Sequence, residues 1–529
     1  MRTTRARRTD ASPCRIQARR RGVPASALVE KRHPIASISH PALFEGVALW
    51  AIQFAAVTIT SLSMEKRPNN MRESKFSLRQ FSILQRRACG LGVLLAIAAL
   101  LVPSTATLAA ATGQNRGTAI AIGGALSADN DAVWSRIVQA AGGPGARIAV
   151  FATASASPER VGGQTAQVLE RHGARVELIP VAPRLPGTDW RALRDDPVQI
   201  ERIARSTGVY FTGGAQELIV STLQPDGQET PMLRAIREVF DRGGVVAGTS
   251  AGAAIMSSMM FRDAQDNHLI LKGRWRAGAE YDRGLGFVGP DVFIDQHFIR
   301  RGRIGRMLPG MVRLGYQIGL GVEEDTAAVI HRGQVEVVGR SGVLLVDLRK
   351  ATQNPDLGAF NIQGARLSLL DRGDRHDLLT GQTHPAAHKE GGALAWQQPG
   401  FKPYRPPAPY YLDILAPHAI VSAMSDLVDS PSAEVKGLAF QANPRVEDPA
   451  PELGFEYRLY RIPELRGWFG SLIGPETYTV LNVAVDVTPV KVHRPLHQPL
   501  NTPPNPALNP PVQPTRSSRP SAVNQEPAR

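Results

Sequence analysis

Between residues 118 and 260, short apolar runs alternate with amphipathic stretches, and this alternation constrains the fold more than any other feature. The apolar runs GTAIAIGG, RIAVFATAS and GVVAGTS predict buried strands, whereas DAVWSRIVQAAGG and PERVGGQTAQVLERHG have the spacing of helices. Strands separated by helices predict an α/β fold with a parallel sheet flanked by helices. Ligands bind such sheets at the carboxyl ends of the strands, so the turns that follow the strands are where a site is expected.

From about Asp325 the pattern changes to short apolar runs separated by glycine turns, which is typical of antiparallel strands. Residues 353–409 are rich in Pro, Gly and His and predict a loop, and further strand patterns follow them. Residues 487–529 are rich in Pro and predict a disordered tail. We therefore predict an α/β catalytic domain at 112–352 and a loop-rich, β-rich C-terminal extension at 353–486.

Residues 71–111 predict export. From Met71 a basic segment ending in Arg-Arg is followed by an apolar run, Leu91 to Val102, and by small residues up to Ala111. This is the layout of a secretory signal peptide at 71–111, and the apolar run is shorter than the roughly 20 residues that a spanning helix needs. We expect a secreted or periplasmic protein that meets the membrane only transiently, with an uncleaved anchor as the alternative. Residues 1–70 are interpreted as a mis-annotated or leader segment.

Composition excludes several classes of function. The formal net charge of +14 arises from the two ends of the chain, so residues 112–486 are close to neutral and no nucleic-acid partner is expected. Both cysteines, Cys14 and Cys89, precede the predicted mature start, which excludes a cysteine nucleophile and a cysteine metal ligand. His384 and His388 share a loop without a third ligand nearby, so neither a metal site nor a cofactor is predicted.

The segment AGTSAGAA carries the pattern G-x-S-x-G, with Ser250 as the candidate nucleophile. This pattern places a serine on a sharp turn between a strand and a helix, where its neighbours must be small. The amide of Ala251 would then begin the helix and stabilise an oxyanion. The alternative is a serine that only caps the helix. The strand pattern before it and the small residues on both sides favour the nucleophile.

The segment FTGGAQ, residues 211–216, also follows a predicted strand. Its paired glycines can direct backbone amides into a crevice, so Gly214 is a candidate second oxyanion donor. Gln216 is a candidate substrate contact. Standing alone, this segment would be interpreted as a plain turn.

The segment DVFIDQHFIRRGRIGRM ends a predicted strand at His297, a position that suits a general base. The arginines that follow can bind carboxylates through paired hydrogen bonds, although a solvated helix face is the alternative. The segment GLGVEEDTAAVI offers three acidic residues, any of which could orient the imidazole: Glu323, Glu324 and Asp325.

Together, FTGGAQ, GTSAGAA, DQHFIRRGRIGRM and GVEEDTA resemble the motifs of the cyanophycinases, which belong to a serine peptidase family that also includes the aspartyl dipeptidases. The motifs follow the family's order from about Thr118 to Leu348. The resemblance implies a class I glutamine-amidotransferase-like, flavodoxin-like fold and a catalytic set of Ser250, His297 and Glu324. It implies a substrate pocket that contains Gln216, Asp295, Gln296, Arg301, Arg303 and Arg306.

The substrate that this resemblance implies is cyanophycin, a polyaspartate with arginine on every side-chain carboxyl. The implied reaction releases β-aspartyl-arginine dipeptides through an acyl-enzyme, without a cofactor, and a homodimer is a further expectation. One position departs from the family: Ala215 stands where an acidic residue is common. The alternatives are an exported peptidase for other aspartyl or isoaspartyl peptides, and a non-catalytic binding protein that uses the same crevice.

Overall fold

A computed structural model describes residues 117–470 and 476–497, and the structural statements below refer to these residues. The predicted leader at 1–70, the predicted signal peptide at 71–111 and most of the predicted tail lie outside the described residues. The α-helices are α1 Asp131–Ala140, α2 Pro158–Arg171, α3 Trp190–Asp195, α4 Pro197–Ala204, α5 Gln216–Leu223, α6 Pro231–Asp241, α7 Ala251–Ala254, α8 Asn267–Leu271, α9 Ile304–Leu314 and α10 Ala419–Val428.

The strands run through the whole described chain. They are β1 Thr118–Ile122, β2 Arg147–Phe151, β3 Arg175–Ile179, β4 Gly208–Phe211, β5 Val245–Thr249, β6 Met259–Phe261, β7 Tyr281–Arg283, β8 Val292–Asp295, β9 Ile318–Val322, β10 Thr326–His331, β11 Gln334–Gly339, β12 Val343–Asp347, β13 Ile362–Leu370, β14 Arg375–Asp377, β15 Thr383–His384, β16 Glu434–Ala439, β17 Leu453–Tyr460, β18 Arg466–Gly470 and β19 Thr477–Lys491.

The first sheet has the strand order β15-β14-β11-β10-β1-β5-β4-β2-β3. The five strands β1 to β5 are parallel to one another, which confirms the parallel sheet that the alternating pattern predicts. The remaining four strands extend this sheet in antiparallel fashion beyond β1. Ile122 pairs with Thr249, so the turns that follow β1 and β5 lie side by side at the carboxyl edge.

The second sheet has the order β16-β17-β19-β13-β12-β9-β8, with β18 paired to β19. Only β8 and β9 are parallel among these pairs. Because β9 belongs to this sheet and β10 to the first, residues 323–325 carry the chain from one sheet to the other. This crossing brings the acidic segment to the place where the two sheets meet.

Alternate residues of β1 point to opposite faces of the first sheet, as the pleat of a strand requires. Ile120 and Ile122 pack with α1 and α2, whereas Ala119 and Ala121 belong to the core formed with α4, α5 and α6. One face of the second sheet joins the latter core, and its other face is covered by α9 and α10. None of the helices in the described part of the chain has the length and apolarity needed to cross a bilayer.

The region after residue 352 differs from the sequence-based expectation. Residues 353–409, expected to be a loop, contain β13, β14 and β15. β13 pairs with β12 and β19, and β14 pairs with β11, so this region adds strands to both sheets. β19 continues to Lys491, past the expected start of the tail at residue 487. The high Pro and Gly content of the intervening turns concealed these strands in the sequence.

Candidate active site

Ser250 lies on the sharp turn between β5 and α7. Its backbone has φ 53° and ψ −105°, a strained combination for a residue with a side chain. A Cβ atom at Gly248 would overlap the carbonyl of Gly252, and one at Gly252 would overlap the carbonyl of Phe211. The sequence pattern has glycine at positions 248 and 252 because the neighbouring backbone leaves no room for a side chain there. The amide of Ser250 donates to the carbonyl of Ile122 at 2.9 Å, which ties the turn to β1.

His297 follows β8 and meets Ser250 from the second sheet. Its amide donates to the carbonyl of Gly123 at 2.6 Å, and its φ of 48° is also strained. The imidazole Nε2 lies 2.9 Å from the Oγ atom of Ser250. Gly124 packs directly on the ring, because a Cβ atom at this position would overlap the imidazole. The turns after β1, β5 and β8 thus bring the serine and the histidine into contact.

The three acidic residues at the sheet crossing have different partners. Glu324 Oε1 lies 2.6 Å from His297 Nδ1. A carboxylate only accepts hydrogen bonds, so Nδ1 of a neutral imidazole carries the proton and Nε2 is left to accept from the serine hydroxyl. Asp325 instead accepts from the amide of Ser127 at 2.9 Å and from the side chain of Asn130 at 2.8 Å. The geometry therefore selects Glu324 as the carboxylate that orients the imidazole.

Glu323 holds the segment that follows the histidine. Its side chain is buried, and one carboxylate oxygen accepts from the amides of Ile299 at 2.5 Å and Arg300 at 2.9 Å. Burial raises the pKa of Glu323, while these two hydrogen bonds oppose the rise. Sequence reasoning offered Glu323 only as an alternative partner of the imidazole and missed this backbone contact.

Electrostatics around His297 favour the neutral imidazole. Burial lowers the pKa of His297, the hydrogen bond to Glu324 opposes this, and the positive charges of Arg301 and Arg303 lower it further. A neutral imidazole at physiological pH can accept the serine proton directly. The arrangement can therefore perform nucleophilic catalysis of the serine–histidine–carboxylate type.

The predicted oxyanion donors lie on both sides of Ser250. Ala251 begins α7 directly after the serine. The 211–216 turn faces Ser250 through Gly213, where a Cβ atom would lie 3.2 Å from that of Ser250. Gly214 has φ 143° and packs against Ala154. Sequence reasoning named Gly214 and missed Gly213, although the paired glycines pointed to both, and the donor roles of Gly214 and Ala251 stay predictions.

Asp295, Arg303 and Arg306 form a buried ion cluster behind the histidine. Arg306 Nε lies 2.8 Å from Asp295 Oδ2 and its Nη2 lies 2.5 Å from Oδ1, while Arg303 Nη1 lies 3.4 Å from Oδ1. Asp295, Arg303 and Arg306 are 2%, 3% and 1% exposed. Burial and the nearby charge of Arg306 lower the pKa of Arg303. The expected contact of these three residues with substrate is not favoured by this geometry, because they bind one another. A positioning role for the strand end that carries His297 fits better.

The other three expected pocket residues have distinct surroundings. Gln216 is buried and donates to the carbonyls of Phe261 at 2.9 Å and Arg262 at 2.7 Å, so its amide group is engaged within the protein. Gln296 is buried, and within the described residues its Oε1 atom has no hydrogen-bond partner. Arg301 is half exposed with its Nε 4.0 Å from Glu324 Oε1, which leaves it the most accessible arginine of the expected set.

A cavity of about 1040 Å³ opens beside the reactive atoms. Ser250, His297 and Gly213 line one part of it together with Thr212 and Thr249. Within the described ranges, no group of three His, Cys, Asp or Glu residues is arranged to hold a metal ion. The expectation that the protein needs neither a metal ion nor a cofactor stays a prediction.

Comparison with known proteins identifies relatives of this chain. The profile of peptidase family S51 matches residues 119–338. A cyanophycinase of Trichormus variabilis is 33% identical over 263 residues, which cover 47% of this chain and 81% of the relative. A cyanophycinase of Synechococcus elongatus is 31% identical over 291 residues, 52% of this chain and 82% of its own. A cyanophycinase of Geminocystis herdmanii is 30% identical over 279 residues, 50% of this chain and 96% of its own.

Among solved structures, a peptidase from an acI-B1 Actinobacterium has a TM-score of 0.34 and 20% sequence identity. The match covers 52% of this chain and 96% of that one. A score of this size is too low to support a conclusion about the fold.

Proposed function

Because the chain belongs to peptidase family S51 and is therefore a serine-type peptidase, we propose that it hydrolyses cyanophycin to β-aspartyl-arginine dipeptides. The observation that carries the proposed chemistry is the hydrogen-bonded series from the Ser250 hydroxyl through His297 to Glu324, with spacings of 2.9 and 2.6 Å. The choice of cyanophycin as substrate is supported by the three relatives described above, each of which is called a cyanophycinase.

The proposed mechanism begins with proton transfer. As the Ser250 hydroxyl attacks a backbone carbonyl of the polymer, His297 Nε2 takes its proton, and Glu324 stabilises the imidazolium that forms. The tetrahedral intermediate collapses when the imidazolium returns the proton to the leaving amine, which leaves an acyl-enzyme on Ser250. Water, deprotonated by His297, then attacks the ester, and the hydroxyl of Ser250 is restored as the product acid leaves.

The negative charge on the carbonyl oxygen needs donors close to Ser250. We assign this role to the amides of Ala251 and Gly214, with Gly213 as the adjacent alternative because it faces the serine directly. One such donor is worth about 3–4 kcal/mol of transition-state stabilisation in serine peptidases. Arg301 is accessible beside the site and is assigned to a substrate carboxylate.

The proposal includes three expectations of the sequence. A class I glutamine-amidotransferase-like fold is supported by the parallel arrangement of β1 to β5 with helices on both faces. Action outside the cytoplasm, secreted or periplasmic, is supported by the signal-like segment at 71–111. Assembly as a homodimer rests on the family resemblance alone.

The decisive experiment incubates the full chain, as its host exports it, with cyanophycin granules and measures the masses of the soluble products. We expect β-aspartyl-arginine from the wild type and none from Ser250→Ala, whose thermal unfolding should match that of the wild type. Isoaspartyl dipeptides, assayed in parallel, provide the rival substrate. Cleavage of isoaspartyl peptides without release of the dipeptide from cyanophycin would contradict the proposal, and so would unchanged activity of Ser250→Ala.

A further inference from the structure

The cavity beside Ser250 extends well past the reactive atoms along α2. Its lining on this helix runs from Val161 to Arg171. Ten residues of helix correspond to about 15 Å along the axis. An extended peptide advances about 3.3 Å per residue, so the cavity wall follows several backbone steps of a bound polymer. Pockets of about 300–1,000 Å³ usually hold a whole small ligand, and this cavity of about 1040 Å³ has room for more than one polymer unit.

The wall of the cavity is apolar along part of its length. Leu126, Trp134, Val161 and Val168 line it, and the Trp134 ring packs against that of Tyr210 with centroids 5.6 Å apart. Such a surface suits the methylene stem of a long cationic side chain, which packs on apolar groups while its charged head reaches a polar partner.

Two threonine hydroxyl groups close to Ser250 have no hydrogen-bond partner among the described residues. Thr212 is 1% exposed and lines the cavity, and in the described part of the chain its Oγ1 atom makes no hydrogen bond. The same holds for the buried Oγ1 atom of Thr249, the residue directly before the nucleophile. Buried polar atoms without partners are uncommon, and in a cavity wall they indicate groups that a bound ligand satisfies.

A charged pair lies on the α2 side of the cavity. Glu170 and Arg171 are consecutive residues of the lining, and the other ionisable residues of this lining are Tyr210 and His297. The Glu170 carboxylate is exposed and has neither an ion pair nor a hydrogen bond within residues 117–470 and 476–497. Arg171 donates one hydrogen bond to the carbonyl of Ala128 at 3.2 Å, which leaves other guanidinium donors unused.

We propose that the α2 wall is a subsite for the arginine side chain of a polymer unit beyond the two units that flank the cleaved bond, with Glu170 binding the guanidinium. In cyanophycin each arginine is attached through its α-amino group and keeps a free carboxylate, so every unit presents one positive and one negative group. The adjacent charges of Glu170 and Arg171 match this pair, and the apolar wall matches the stem between them. The subsite rests on the proposed function and extends it to recognition of the polymer.

The test compares Glu170→Gln with Glu159→Gln in the full chain. Glu159 lies in the first turn of α2, is also exposed and is absent from the cavity lining, which makes it a matched control. The substrates are cyanophycin and the shortest aspartyl-arginine oligomer that the wild type cleaves. We expect Glu170→Gln to raise KM for the polymer about three- to fivefold, the range of a partly exposed ion pair, with kcat unchanged. Kinetics on the short oligomer and with Glu159→Gln should equal those of the wild type.

The outcomes separate this proposal from the proposed function. Cleavage of both substrates by the wild type, with equal KM values for Glu170→Gln and Glu159→Gln, would overturn the subsite and leave the function intact. An equal rise of KM in both variants would also overturn it, because the effect would belong to the net charge of α2. No cleavage of any aspartyl-arginine substrate by the wild type would overturn the proposed function, and the subsite with it.

Discussion

Ser250 and His297 each follow a strand and each have a positive φ, but their surroundings differ. On the serine side, the turn is held by close approach of backbones at Gly248 and Gly252, and residues 248–252 include no charged side chain. On the histidine side, the segment after β8 is held by buried charges, with Asp295 bound to Arg306 and Arg303. Both turns contain a residue with a positive φ, but close packing stabilises the turn in the first sheet and buried ion pairs stabilise the turn in the second.

This difference indicates which substitutions each side tolerates. A turn specified by contact fails when any atom is added, whereas a buried ion cluster fails when one partner is removed and leaves the others uncompensated. The serine side should therefore be sensitive to size and the histidine side to charge. The three predictions below test this contrast, beginning with the largest expected effect.

Asp295→Ala should lower the free energy of unfolding by about 3–5 kcal/mol, because two buried guanidinium groups lose their carboxylate. Asp282→Ala is the control, since Asp282 pairs with Arg262 in an ion pair whose side chains are 31% and 36% exposed. Its loss should cost about 1 kcal/mol or less. Denaturant unfolding of both variants measures the difference, and equal effects would show that the buried cluster does not stabilise the histidine side.

Gly124→Ala should lower kcat/KM about 100-fold, because the added methyl overlaps the His297 ring and displaces it from Ser250. Gly142→Ala separates this collision from backbone strain. Gly142 has φ +112°, close to the +110° of Gly124, but a Cβ atom there would meet nothing within 4 Å. Both variants should lose about 1–3 kcal/mol of stability from the backbone conformation. Steady-state kinetics in which both variants retain full activity would contradict the contact between Gly124 and the imidazole.

Arg301→Gln should shift the acid limb of the pH profile of kcat/KM to higher pH. The positive charge of Arg301 disfavours the imidazolium and so lowers the pKa of His297, in addition to the larger lowering by burial. Removing that charge raises the pKa of His297, and the neutral base is then lost at a higher pH. Arg300→Gln is the control, because Arg300 is exposed and is not among the charges with the largest effect on the pKa of His297. A profile of Arg301→Gln that coincides with the wild type would contradict this assignment.

The features that the sequence predicts are those that local patterns specify. The strands β1, β2 and β5, the helices α1 and α2 and the turn at Ser250 each depend on neighbouring residues, and the structure confirms them. The choice among Glu323, Glu324 and Asp325 depends on contacts across two sheets, which residue spacing does not encode. Only the family resemblance selects Glu324, which the structure places against the imidazole.

The sequence also does not reveal which charged side chains are buried. The family resemblance implies that Arg303 and Arg306 contact substrate. The pattern of the segment gives no sign that both are buried on Asp295. The strands β13 to β15 were missed because their neighbours are turn-forming residues, and pairing with β11, β12 and β19 determines their structure.

The central claim is that His297 activates Ser250 across the junction of the two sheets. Labelling of the full chain with a fluorophosphonate probe, followed by mass mapping of the modified peptide, tests it most directly. We predict a single adduct on Ser250, formed at least about 100 times more slowly in His297→Gln, because the general base is then missing. An adduct on another residue, or labelling of Ser250 at an unchanged rate without His297, would contradict the account.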